Sequence, residues 1–419
     1  MKARENCVGF MLCIYIIFMP LIPNNFNIKG IGIRGDYLLL IIFLVYIIKL
    51  IIDRKTRMSF YEGIVGSFRD PISIFMMLLF IVMIISISYS PNKSIAISES
   101  IRFLTYIITY FIIKYEIKTD ILVNRILNSY VIATFLISVF GVVQYFTKIG
   151  LDKRFIYDTS KYSVALRITS TLDNSNTLGA YLIIAVFPLI MISIYEKNIV
   201  KKSMYIITTL LSIITIVLTF SRNAWLAFLL GIFILIVVYN WRFILFLIFG
   251  LGLSMFIPQI RNRAMDFRLV FKDPRVNLWK LAIKMIKEHP LLGVGNGNYY
   301  DQYAEYIKKY PKLQYNSYTH FLTHNSYLKV GSELGLIGIV PFIGFLVSIL
   351  IRLKTLLNNL GDNLYKFFYR GFYISVIVFL LMNMSDNLFF VPKVTMYFWI
   401  LVAISQSILY NKISTRRIF

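Results

Sequence analysis

The sequence predicts an all-α polytopic membrane protein with about twelve transmembrane helices and one long extracytoplasmic loop. Of its 419 residues, 58% are hydrophobic and only 15% are charged, too apolar a balance for a soluble domain of this length. The apolar residues fall in runs of about 16–22, long enough to cross ~30 Å of hydrocarbon at 1.5 Å per residue. An outer-membrane barrel would instead alternate over ~10-residue segments.

The runs follow in order. The first, 8–23, comes after Lys2 and Arg4 and carries no small-residue cleavage site, so it reads as a retained span rather than a signal peptide. Spans at 37–52, 71–90, 101–117 and 121–146 make an N-terminal group. Those at 177–195, 204–220, 224–239 and 241–258 make a central group, and 336–351, 371–390 and 394–410 close the chain. There is no internal repeat, so residues 1–419 read as a single integral membrane domain. The segments that fall inside when the N-terminus is cytoplasmic carry 20 Lys/Arg, against 10 in the outer ones without the long loop. That bias predicts a cytoplasmic (inner) membrane protein with both termini in the cytoplasm.

The net charge of +24 does not imply nucleic acid: much of it sits beside apolar spans, and no nucleic-acid-binding motif accompanies it. Cys7 and Cys13 form neither a disulfide framework nor a metal spacing. The sequence implies no metal and no cofactor.

The loop from 259 to 335 holds all three histidines, His289, His320 and His324, and twelve of the 44 Lys/Arg. It is read as an extracytoplasmic catalytic loop, because a membrane protein that gathers its few titratable groups outside the bilayer places its chemistry there. Three outward-facing segments supply candidate residues. Arg167 to Asn176 is a polar stretch that leads into a span; Asp173, Asn174 and Ser175 suit a helix cap, while Arg167 and Asn176 suit a polar site. In Thr219-Phe220-Ser221-Arg222-Asn223, Arg222 is the only charge between Met204 and Arg242. Such a charge is functional or paired more often than it snorkels. In the third segment, Asp273 as N-cap and Pro274 at the first helical position open an amphipathic helix, Val276 to Glu288. Arg275 at that helix start suits a phosphate, although a basic helix lying on anionic lipid gives the same pattern.

Beyond Pro290, the turn Gly293-Val294-Gly295-Asn296-Gly297-Asn298 follows a helix rather than a strand, so it is no dinucleotide loop and serves to turn the chain. Thr323-His324-Asn325-Ser326 then precedes the next span, with His324 suited to accept a proton near neutral pH. Glu333 either bonds within the site or caps the loop. Arginine forks stabilise the charge that grows on a leaving diphosphate, and a neutral histidine can deprotonate an attacking sugar hydroxyl. Together these groups describe glycosyl transfer from a lipid diphosphate.

The segments Arg167 to Asn176, Leu218 to Arg222, Arg275 to Trp279, Pro290 to Gly297 and His324 to Ser326 resemble, in order, the O-antigen ligase and O-antigen polymerase superfamily. The resemblance spans about Arg167 to Gly344. It implies a metal-independent inverting glycosyltransferase, which moves an undecaprenyl-diphosphate-linked oligosaccharide to a glycan or other hydroxyl acceptor on the outer face of the membrane. It also implies that Arg222 and Arg275 bind the diphosphate and that His324 is the base; Arg167, Asn176 and Asn325 are further substrate-binding candidates by their place in the outward-facing segments. The family commonly places Gly before the second arginine, where this chain has Pro274. Polymerases and ligases share these motifs, so the acceptor stays open. The competing class is a polysaccharide or anion transporter, a flippase without glycosyl transfer, which would put its charges at mid-membrane. A shape-and-division type polymerase would rely on an outer aspartate (Asp266, Asp273 or Asp301), in surroundings this chain does not resemble.

Overall fold

A computed structural model describes residues 7–23, 27–28, 31–32, 35–157, 166–239 and 275–416, together with four single positions between 244 and 261. The expected span at 241–258 and the Asp273-Pro274 helix start therefore lie outside the described residues. Apart from a two-residue antiparallel pair (β1, Asn27–Ile28; β2, Ile31–Gly32), the described regular structure is helical.

The helices are α1 (Cys7–Leu21), α2 (Gly35–Ile52), α3 (Arg54–Ser67), α4 (Pro71–Ser86), α5 (Lys93–Glu116), α6 (Asp120–Thr147), α7 (Ser175–Tyr195), α8 (Ile199–Leu218) and α9 (Arg222–Tyr239). After the undescribed stretch come α10 (Arg275–Glu288), α11 (Tyr299–Lys309), α12 (Ser326–Asn359), α13 (Leu364–Met382) and α14 (Pro392–Arg416). Asparagine starts many of them. The side chains of Asn92, Asn174, Asn198, Asn325 and Asn363 each accept a backbone N–H in the first turn that would otherwise lack a partner.

Eight described helices are long and apolar enough to cross a membrane, which makes this a multi-pass membrane protein. The number rises to nine if α3 and α4, bent 80° apart, form one broken span. The expected total of about twelve included two short apolar helices, α1 and α9, as well as the undescribed run. Two C-terminal boundaries also differ from the sequence reading. The helix expected from 336 begins at Ser326 and is broken by Gly335 (φ 61°, ψ −160°). The expected span 371–390 ends at Met382, and residues 383–391 form a connection to α14.

The two most enclosed spans are α7 and α14. Around α7, glycines permit close approach. A Cβ on Gly371 of α13 would lie 2.3 Å from the Phe187 carbonyl oxygen, and one on Gly179 would lie 2.6 Å from Ala224 Cβ of α9. At one end of the bundle α7, α9, α12 and α14 begin while α8 and α13 finish. The last turn of α1 is at this end too: Thr171 Oγ1 donates to the Pro20 carbonyl and Lys393 Nζ to that of Ile22. Cys7 and Arg416 consequently lie at the opposite end.

Candidate functional site

The connections at the first end converge. Residues 167–170 are held by Gln144 of α6, whose Oε1 accepts from the backbone N–H groups of Thr169 (2.9 Å) and Ser170 (2.8 Å). That grip fixes Arg167. Its Nε donates to the Thr219 carbonyl at 3.0 Å, in the turn between α8 and α9, and its Nη2 donates to Asn176 Oδ1 at 2.9 Å. Ser221 Oγ donates to the same Asn176 oxygen at 2.8 Å, and Arg222 opens α9 one residue later.

The opposite wall is the 383–391 connection. Arg275, at the start of α10, donates from Nη1 to the Ser385 carbonyl at 3.1 Å. Ser326 Oγ donates to Asn383 Oδ1 at 2.7 Å, and the Asn325 backbone N–H donates to Asn387 Oδ1 at 2.8 Å. These bonds bring His324 beside Asp386, with Nδ1 3.1 Å from Oδ1. Asn176 closes the circuit, since its Nδ2 donates to Asp386 Oδ2 at 3.0 Å. One amide therefore joins the Arg167 side of the site to the His324 side.

His324 adopts a left-handed backbone (φ 49°), an arrangement that costs a non-glycine residue of order 1–3 kcal/mol. The strain is held by neighbours: Trp279 Nε1 of α10 donates to its carbonyl, and the Phe321 ring packs on its imidazole.

Positive charge is gathered around Arg167. Burial lowers the pKa of Arg167 from its ordinary value; Tyr157 counteracts this, and the positive fields of Arg275 and Arg222 lower it further. Arg275 and Arg222 are thus close enough for their charges to act on Arg167. Burial pushes the Asp386 carboxyl up. His324, Arg275 and the Asn387 N–H outweigh burial and hold it below its ordinary range.

Among the residues predicted from sequence, the structure brings together Arg167, Asn176, Arg222, Arg275 and His324. Asn325 lies in the same place with its side chain engaged internally: Oδ1 caps α12 through the Leu328 N–H, and Nδ2 donates to the Met384 carbonyl. His289 and His320 form no part of the cluster. Glu333 caps the glycine turn rather than facing the arginines, accepting from the backbone N–H groups of Gly297 (3.0 Å) and Tyr299 (3.2 Å) while pairing with Lys329. The apolar face that the sequence predicts for α10 (Val276, Leu278, Trp279, Ala282, Ile283 and Ile286) is shifted, since Leu278, Leu281, Ala282 and Met285 are buried while Ile283 is exposed.

Sequence reasoning missed Asp386, hidden within an expected span. Its signal was present: it is the only acidic residue after Asp362, within the polar run Asn383, Ser385, Asp386 and Asn387.

Comparison with known families then bears on the segment that supplies Arg222, Arg275 and His324. Residues 207–343 match the family model described as O-antigen ligase. Over this segment the chain is similar to the O-antigen ligase and polymerase superfamily. No curated protein matches the chain. The O-antigen ligase segment supplies the turn before α9, the start of α10 and the strained His324. Arg167, Asn176 and Asp386, which complete the hydrogen-bonded circuit, come from outside it. The similarity over this segment supports glycosyltransferase-like activity of the ligase or polymerase type.

Proposed function

We propose that the protein transfers a glycan from undecaprenyl diphosphate to an acceptor hydroxyl on the outer face of the cytoplasmic membrane, without a metal ion and with inversion at the anomeric carbon. The observation that carries this reading is the convergence of Arg167, Arg222 and Arg275 beside the His324–Asp386 pair. Clustered guanidinium groups repel one another unless an anion sits among them, and their fork geometry suits phosphate oxygens.

In this mechanism the acceptor oxygen attacks the anomeric carbon opposite the diphosphate. Its proton passes to Nε2 of His324, because Nδ1 is engaged by Asp386. The bond between the anomeric carbon and the diphosphate oxygen breaks, and the electron pair leaves with that oxygen. Charge grows on the diphosphate as the arginines hold it, which is where fixed positive groups lower a barrier most. Asp386 fixes the imidazole tautomer and stabilises the imidazolium that forms. Lipid-facing surfaces of the spans receive the polyprenyl tail. With a second lipid-linked glycan as acceptor the enzyme is a polymerase; with another envelope acceptor it is a ligase.

The test uses purified protein, a short undecaprenyl-diphosphate oligosaccharide and candidate acceptors, and follows lipid diphosphate release with and without a chelator. Wild-type turnover unchanged by chelator, and lost in folded His324→Ala and Arg275→Ala variants, is expected. Movement of intact donor across liposomes by all three proteins, with no lipid diphosphate released, would replace the enzyme with a transporter.

A further inference from the structure

At the end of the bundle opposite the arginine cluster lies a cavity of about 590 Å³ whose lining includes the polar side chains of Glu62, Arg69, Asp70, Lys114, Arg352 and Tyr410. We propose that this cavity binds the phosphodiester head group of a membrane lipid whose head also carries a hydroxyl, as in phosphatidylglycerol.

Three features lead there. The first is charge. Arg69, Lys114 and Arg352 face Glu62 and Asp70, which leaves one net positive charge among the lining residues. A phosphodiester carries one negative charge and balances it, whereas a diphosphate overshoots. Arg69 makes no ion pair among the described residues, and Arg352 is held by a 2.9 Å bond from Nε to Gln406 Oε1.

The second is a buried oxygen in need of a donor. Asp70 is only 3% exposed. Its Oδ2 accepts from the Ser73 N–H and Oγ, from the Tyr110 hydroxyl and from Lys114 Nζ. Its Oδ1 has no hydrogen-bond partner among the described residues, and Arg352 Nε stands off at 4.0 Å. A buried acceptor left unmade is costly; Asp70 lines the cavity, and a head-group hydroxyl that reaches Oδ1 as the carboxylate shifts satisfies it.

The third feature decides between a lipid and a soluble phosphodiester. The cavity wall is α3, which turns 80° from α4 and so runs across the spans. Glycines seat it on α5: a Cβ on Gly63 would meet Phe111 at 2.7 Å, and one on Gly66 would meet the Tyr115 hydroxyl at 2.8 Å. Met58 is exposed on it, as are Tyr61 and Val65 at the cavity itself, with Phe68 just beyond at 78% exposed, while Arg54, Lys55 and Arg57 lie at its start. An apolar side beside basic residues is the pattern of a helix lying in the membrane interface. Acyl chains running along that side carry the head group into the cavity.

The experiment measures lipid binding to the full-length protein by native mass spectrometry, in detergent supplied with phosphatidylglycerol or phosphatidylcholine. Wild type is expected to prefer phosphatidylglycerol. Arg69→Gln, at an exposed position, is expected to reduce that preference about tenfold, the loss of one charge-assisted contact. Arg352→Gln should do the same, and Lys197→Gln, outside the cavity, should leave the preference intact. No preference in wild type, or an undiminished one in Arg69→Gln, overturns the proposal. Displacement of the lipid by glycerophosphoglycerol at equal concentration would reassign the cavity to a soluble phosphodiester and overturn the lipid.

Discussion

His324 Nδ1 lies 3.1 Å from Asp386 Oδ1, a pairing of two residues from separate connections at one end of the bundle. The contact orients the imidazole and sets its tautomer, so the effect of removing the charge should fall on the chemical step. Asp386→Asn, which keeps the shape, is expected to lower kcat by about 10²–10⁴, the range for a disabled acid–base group, with KM changed much less. Steady-state kinetics on the purified variant provide the check; an equal rise in KM with kcat intact would assign Asp386 to binding instead.

Asn176 should behave differently, because its amide serves both sides of the site. Asn176→Ala leaves Arg167 and Asp386 each short of a partner, at about 1–3 kcal/mol for each buried group. Both kcat and KM should worsen. Asn176→Asp should be worse still, since it sets a second carboxylate against Asp386 where a 3.0 Å bond now stands. Activity in Asn176→Asp above that of the alanine variant would sink this account.

The depressed Asp386 carboxyl also predicts a pH dependence. A group whose pKa is lower in the folded protein contributes stability that is complete above its unfolded value and fades as pH falls through the folded one. The ordinary value is 3.8 and the folded one lies below it. Wild type should therefore melt above Asp386→Asn at neutral pH, and the gap should close only as pH drops below about 4. A gap that closes between pH 7 and 5 would point to another titrating group.

Gly335 supports a stability prediction. It combines φ 61° with a virtual Cβ 2.3 Å from the Leu291 carbonyl oxygen. Gly335→Ala thus meets backbone strain and a backbone clash together, and should cost about 1–3 kcal/mol or more in detergent unfolding. A variant as stable as wild type would mean that the turn shifts away freely.

Lys329 and Glu333 form a buried pair one helical turn apart in α12. Glu333→Leu alone strands the lysine and two backbone N–H groups, at about 3–5 kcal/mol. Adding Lys329→Met should recover part of that loss in a double-mutant cycle. Additive losses would show that the two side chains do not interact.

Much of the architecture was legible in the sequence because long apolar runs have few alternatives in a bilayer. Eleven of the twelve expected runs fall on described helices, and the errors came where packing overrides hydropathy. The break at Gly335 is invisible to a window average, since the residues on both sides are helix formers. Asp386 escaped because Phe389, Phe390 and Val391 extend the apolar run past the helix end. The arginines and His324 stood out as isolated polar groups beside spans. The double role of Asn176 did not, because an asparagine two residues after a helix cap is common, and only the tertiary fold brings Asp386 to it.

That Asp386 lies in the connection between α13 and α14 also bears on biogenesis. A nascent chain acquires Arg167, Arg222, Arg275 and finally His324 while the carboxylate that aims the imidazole is still unsynthesised. On the proposed mechanism, until the last helical hairpin enters the bilayer the growing polypeptide has its guanidinium groups but no oriented base. On that mechanism competence arrives in a single late step, and a translocation fault in that hairpin would leave a membrane-embedded but inert protein.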